Sequence, residues 1–304
     1  MLRWGISALS HDAALAVVDD DRLVFAGHSE RYSRVKNDPL LHPDLLAEAT
    51  TFGPPEQIVW YERPYVKKLR HLQAGQWSDA FSPRDLPRAF LRSLDLPFTL
   101  PEITYVDHHH SHAAAGIATS GFDEMAVIVA DAIGEFRTFT IGYRDRDGHF
   151  ETLHRRAYPD SLGLLYSAFT RRCGFRPNED EYIVMGMAAY GEPRYTAQIH
   201  EELLEITTPT FRLRGNVHRG IGNWLPDASP EDLAASIQAV TEATMLAAAR
   251  WAHDATGSEN LVLSGGIALN CVANSVTPAT RASRRCGSSP TPVMPDRVSA
   301  ASQP

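Results

Sequence analysis

One pattern restricts the fold more than any other, because it occurs twice. Residues 2–7, 13–18 and 23–26 read as three successive strands, with a turn at Asp19-Asp20-Asp21. About 120 residues later the arrangement returns as 126–130, 138–143 and 149–153, with a turn at Asp147-Gly148. Polar residues follow the first strand in both copies, His11-Asp12 in one and Asp131 in the other. Two lobes that each open with a three-strand meander imply an internally duplicated α/β chain, with lobes at roughly 1–120 and 121–275.

Helical composition or spacing fills the intervals at 44–49, 87–94, 112–118, 164–173 and 231–252. The last is the clearest, with residues 227–230 as a capping region and Leu233, Ile237, Val240, Met245 and Leu246 along an apolar face. A short apolar strand at 260–263 then leads through Ser264-Gly265-Gly266 into another helix start. Such a turn presents backbone N–H groups to an anion, and phosphate is the usual guest.

With 43% hydrophobic and 22% charged residues among 304, disorder as the main state is excluded. A net charge of −8 speaks against a nucleic-acid partner. No apolar run approaches the roughly 18 residues of a membrane span, and acidic Asp12, Asp19, Asp20 and Asp21 stand where a secretion signal would be apolar. Cys173, Cys271 and Cys286 are too few and too scattered for a disulfide framework and fit a reducing cytoplasm.

The chemistry concentrates at His108, His109, His110 and His112, directly after an expected strand at 103–106. If this segment enters a helix, His108 and His112 stand at i and i+4 on one face and their imidazoles can share a metal. His109 and His110 then serve as outer support. Two imidazoles leave a divalent ion short of ligands, and Asp131 is the expected carboxylate, read as ending an apolar strand. Such a set suits Fe(II) or another divalent transition ion, with Zn also open. Gly134-Glu135 adds a turn and a second carboxylate. No Gly-x-Ser-x-Gly or cysteine-centred motif points to covalent catalysis, so the metal would act as a Lewis acid.

The ordered stretches HDAA (11–14), ERYSRVK (30–36), DHHHSHAA (107–114), DAIGE (131–135), SLG (161–163), EYIVMGMAAYG (181–191) and SGGIALNCVAN (264–274) resemble the O-carbamoyltransferases of nodulation-factor and antibiotic biosynthesis. The resemblance implies an actin/sugar-kinase-like, ribonuclease-H-like fold, related to the tRNA threonylcarbamoyl transferases. It implies metal ligation by His108, His112 and Asp131, and places His11 and Lys36 near the carbamoyl donor and acceptor. Ser161 and Gly163 match a loop touching carbamoyl adenylate, and Ser264, Gly265, Gly266 and Asn270 match a nucleotide-side loop. Carbamoyl phosphate and ATP would give carbamoyl adenylate, which a small-molecule hydroxyl acceptor then attacks. Acceptor choice is assigned to loop-like stretches such as 64–101 and 207–226. The competing readings are an ATPase or sugar-kinase-like protein of the same fold and an inactive metal- and nucleotide-binding remnant.

Two departures from the family pattern matter. Ile183 stands where the family commonly has Lys, and the expected continuation after Asn274 is not legible. That continuation would be a strand, a Gly-Asp-x-Gly turn with a fourth metal ligand, and a second, adenylate-forming domain. Residues 276–304 read instead as a disordered tail, with Val293, Met294 and Val298 almost its only large apolar residues. Shifted by two bases, the codons of Pro292 to Asp296 allow Gly-Asp-Ala-Gly, as expected of an out-of-frame translation. The missing domain would then be encoded separately.

Overall fold

The computed structural model describes residues 1–10, 12–73, 75–82 and 86–277. His11 and residues 278–304, which make up nearly all of the expected tail, lie outside the described residues. Two compact units divide between Ala118 and Thr119.

The first unit runs β1 (Leu2–Ser7), β2 (Ala14–Asp19), β3 (Arg22–His28), α1 (Glu30–Ser33), α2 (Pro43–Thr50), β4 (Gln57–Trp60), α3 (Pro64–Gln73), α4 (Trp77–Phe81), α5 (Pro87–Ser93), β5 (Glu102–Tyr105) and α6 (His108–Ser120), whose last turn crosses the division. Its five-stranded sheet has the order β3-β2-β1-β4-β5. The meander β1-β2-β3 is antiparallel, whereas β4 joins β1 and β5 joins β4 in parallel. Trp4, Ile6, Ile58 and Trp60 alternate inward from paired strands and are fully buried, with Leu45 of α2 and Leu91 of α5 closing over them. Helix α2 starts where Pro43 takes the first helical position and His42 Nδ1 accepts the Asp44 amide at 3.2 Å.

Within the loop-like stretch 64–101, α5 falls where a helix was expected at 87–94, whereas α3 and α4 were not expected. The helical period of α3 is masked because its polarity is inverted. Tyr65 and Leu69 face out at 72% and 58% exposure, while Lys67 turns in to Glu62 at 2.7 Å. Strand β4 was also missed; its Ile58-Val59-Trp60 core is too short to show a period.

The second unit runs β6 (Met125–Gly134), β7 (Arg137–Arg144), β8 (Phe150–Ala157), α7 (Leu162–Arg172), α8 (Glu181–Met187), α9 (Thr196–Glu202), β9 (Leu204–Ile206), β10 (Phe211–Leu213), α10 (Pro230–Thr256), β11 (Leu261–Ser264) and α11 (Cys271–Val276). Again an antiparallel meander, β6-β7-β8, gains a parallel strand, giving the order β11-β6-β7-β8. Residues 125–130 of β6 are buried without alternation, as a strand covered on both faces requires. The 27-residue α10 is framed as its composition dictates. Ser229 Oγ accepts the Asp232 amide at 3.2 Å, Pro230 opens the helix, and Gly257 ends it in the left-handed region. Among the described residues no helix is long and apolar enough to cross a membrane.

Two expectations need correction here. Asp131 does not end its strand: β6 continues to Gly134, and the register shifts between Ala130 and Gly134, so Asp131 sits in an irregular stretch of ladder. The helix start expected after the glycine pair is divided in two. A single 3-10 turn, Gly266–Leu269, follows β11, and the six-residue α11 starts only after Asn270.

Candidate metal and nucleotide residues

In the first unit, α6 begins directly at the histidine run. Asp107 precedes it and caps it, Oδ1 accepting the His110 amide at 3.1 Å. Its second oxygen, Oδ2, accepts from Arg63 Nη2 at 2.7 Å, tying the helix start to the chain just before α3. Ser111 Oγ donates to the Tyr61 carbonyl at 2.9 Å, a second tie to the sheet. Replacing Asp107 with Ala is expected to cost about 1–2 kcal/mol, mostly the cap, since the ion pair is partly exposed. Urea unfolding measures it, and an unchanged midpoint would refute the capping role.

The two imidazoles meet as their spacing implied. His108 Nε2 and His112 Nε2 are 3.1 Å apart and the rings 4.8 Å apart at 72°. Nitrogens bound at about 2.0–2.1 Å to one ion stand roughly 3.0–3.4 Å apart, so this donor pair fits a transition metal. The Tyr61 ring packs edge-on against His108 at 5.4 Å, limiting its rotation. His109 is buried at 1% exposure with its ring 6.1 Å from that of His108, and His110 is half-buried. Lys36 is exposed, beyond the short α1.

In the second unit, the irregular stretch of β6 gathers the residues read as donor- and nucleotide-binding. Asp131 Oδ1 accepts the Ala132 amide at 2.8 Å. The same oxygen lies 3.1 Å from where a β-carbon on Gly266 would be. Ser161 Oγ donates to the Ala132 carbonyl at 2.6 Å and, as N-cap of α7, accepts the Leu164 amide at 3.0 Å. Gly163 lets α7 close on the strand, for a β-carbon there would come within 2.8 Å of Ala132 Cα. Gly265, at φ +86°, lies against the Ala130 carbonyl. Glu135 is buried in the turn between β6 and β7, at φ +58°.

Asn270 is turned inward. Its Oδ1 accepts the Ala273 amide at 2.9 Å and Gln238 Nε2 at 3.0 Å, while its Nδ2 donates to Gln238 Oε1 at 2.8 Å. Tyr166 OH donates to the same Gln238 oxygen at 3.0 Å. Burial, reinforced by the Glu181 charge, pushes the Tyr166 hydroxyl above its ordinary range, which keeps it a donor. Neither Gln238 nor Tyr166 had been singled out; each looks like one more helix residue in sequence. Burial likewise raises the Cys173 thiol to about 11, so it is no ready nucleophile.

Each unit couples an antiparallel three-strand meander to parallel pairing, by two strands in the first and one in the second, and this repeated topology defines the actin/sugar-kinase-like α/β class. The chain belongs to the family described as "Carbamoyltransferase N-terminus", whose model matches residues 56–283. It is 37% identical to protein sll1178 of Synechocystis, covering 89% of this chain and 51% of that protein. Nodulation protein NolNO of Sinorhizobium fredii is 28% identical, with 87% of this chain and 42% of that protein covered. The chain thus spans about half the length of these curated relatives. Among solved structures it is similar to the ADPNP-bound activator of 2-hydroxyisocaproyl-CoA dehydratase from Clostridium difficile. That likeness has 11% identity and a TM-score of 0.47, covering 96% of this chain and 90% of that one.

Proposed function

We propose that this chain is the metal-dependent carbamoyl-transfer domain of an O-carbamoyltransferase. The carbamoyl group passes from carbamoyl adenylate, made from carbamoyl phosphate and ATP, to a hydroxyl of a sugar or other small natural product. The observation that carries this reading is the His108–His112 donor pair, 3.1 Å apart, in a chain of the carbamoyltransferase family. Phosphoryl transfer by a kinase of the same class has no need of such a pair.

Asp131 is the proposed third ligand, and Fe(II) or another divalent transition ion the proposed metal. Bound there, the ion would supply Lewis acidity toward a carbonyl oxygen. The acceptor hydroxyl oxygen attacks the carbamoyl carbon and a new C–O bond forms. The bond from that carbon to the adenylate phosphate oxygen breaks, and AMP leaves with the electron pair. Glu135 is the proposed base for the hydroxyl proton, with His11 and Lys36 orienting donor and acceptor. Ser161 and Gly163 are assigned to the carbamoyl adenylate. Ser264, Gly265, Gly266 and Asn270 are assigned to its nucleotide side, Asn270 by shaping the loop from within.

Adenylate formation is assigned to a second domain, the proposed protein partner. The purified chain, given carbamoyl phosphate and ATP, is therefore expected to make no carbamoyl adenylate detectable by mass spectrometry. Given carbamoyl adenylate and a panel of sugar and aminocyclitol acceptors, it is expected to release AMP in a metal-dependent way. Adenylate formation by the chain alone would contradict the division of labour. AMP release that never exceeds the buffer rate with any acceptor would refute the transfer reading.

A further inference from the structure

We propose that Gln238 is the positioning residue of the nucleotide-side loop, acting through Asn270; the functional part of this inference rests on the reading above. Gln238 is buried at 4% exposure in α10, 32 residues before the group it holds. Its amide is saturated. Oε1 accepts from Tyr166 OH at 3.0 Å and Asn270 Nδ2 at 2.8 Å, and Nε2 donates to Asn270 Oδ1 and Glu242 Oε1, each at 3.0 Å. An amide that spends both lone pairs and both hydrogens has one orientation and no substitute.

That orientation sets the loop. Asn270 closes the 3-10 turn, its amide donating to the Ile267 carbonyl at 2.9 Å while Ala268 N donates to Gly265 O at 3.0 Å. At the other end Gly265 is seated on the Ala130 carbonyl, where no β-carbon fits. The segment 265–270 is thus clamped at both ends, on the strand by a glycine and on α10 by the amide pair. Gly266 lies on this segment beside the Asp131 carboxylate, so a shift of the clamp moves backbone next to a proposed ligand. A side chain that never touches the nucleotide thereby fixes the backbone that would.

The test uses the whole chain with Gln238→Leu, which keeps the shape and removes the amide, and Gln238→Glu, which keeps the acceptors and replaces the donor. Amide hydrogen exchange without ligand reads the clamp alone. Exchange at Ala268 and Asn270 is expected to accelerate about tenfold or more in Gln238→Leu relative to the α7 amides, one buried hydrogen bond being worth about that factor. Binding of the non-hydrolysable analogue ADPNP reads the consequence and is expected to weaken about tenfold. In an Asn270→Ala background the same change is expected to have little further effect on that affinity. A purely structural role would lower the melting temperature and speed exchange everywhere, leaving the ratio to α7 unchanged, and that result overturns the proposal. Unaltered ADPNP affinity in a variant with a loosened loop also overturns it. Should the wild type bind no ADPNP while the loop still loosens selectively, the nucleotide reading falls and the clamp stands.

Discussion

Replacing His108 with Ala is expected to strip the chain of its metal. With one of two facing imidazoles gone, His112 and a carboxylate make too poor a set to hold a divalent transition ion against buffer. Loss of an outer support to a metal ligand already costs 10–100-fold in affinity as a rule, so loss of the ligand itself should exceed about 100-fold. Wild type reconstituted with Fe(II) or Zn(II) should retain near one equivalent through gel filtration by elemental analysis, and His108→Ala almost none. His110→Ala is the control, for a position two residues from His108 and from His112 falls on another face of the helix and the metal should stay. Circular dichroism guards against unfolding, since α6 is also pinned by Asp107, Arg63 and Ser111. Equal metal content in wild type and His108→Ala would end the ligand assignment and leave a histidine hydrogen bond at the start of a helix.

The second large effect is on folding. Gly265 has φ +86°, and a β-carbon there would run into the Ala130 oxygen and lie 2.9 Å from its carbon. Both atoms belong to the central strand of the second unit and cannot swing aside as a side chain does. At φ +86° and ψ 175° the backbone is in a region open essentially to glycine alone, at a cost of about 1–3 kcal/mol for alanine, and forcing atoms into packed backbone costs about 1–3 more. Gly265→Ala should therefore lose about 2–6 kcal/mol, a large share of the roughly 5–15 kcal/mol that holds an ordinary domain together. Guanidinium unfolding followed by tryptophan fluorescence would show it. A loss below about 0.5 kcal/mol would mean that the turn and β6 are not in the contact described.

In the meanders β1, β2, β6 and β7 were legible because burial runs continuously along them, whereas β3 and β8 bury no residue and were legible from the turns that delimit them. Helix α10 was legible from its cap, proline and terminal glycine. The His108–His112 pairing was legible because helical spacing alone dictates it. Asp131 was legible as a residue but not as a place. An apolar run that stops at an acid reads as a strand end, yet the strand bulges and resumes to Gly134. The regions 64–73 and 265–270 differ from their reading for different reasons. In the first, Tyr65 and Leu69 face out while Lys67 turns in, so periodicity pointed the wrong way. In the second, α11 begins at Asn270, whose Oδ1 caps it by accepting the Ala273 amide, while the anchoring of Asn270 to Gln238, 32 positions away, has no local signal.

The parallel pairing of β11 with β6 has a consequence for how the chain is made. Leu261 opposes Ala126 and Ser264 opposes Val129, so the two strands leave the ribosome some 135 residues apart. At roughly 5–20 residues per second, β6 spends about 7 to 27 seconds with that edge bare. A strand of Ala, Val and Ile buried on both faces is then an open template for other chains. During synthesis the second unit is thus most vulnerable at the strand that later carries Asp131, and a chaperone that covers hydrophobic edges would act there before any ligand could.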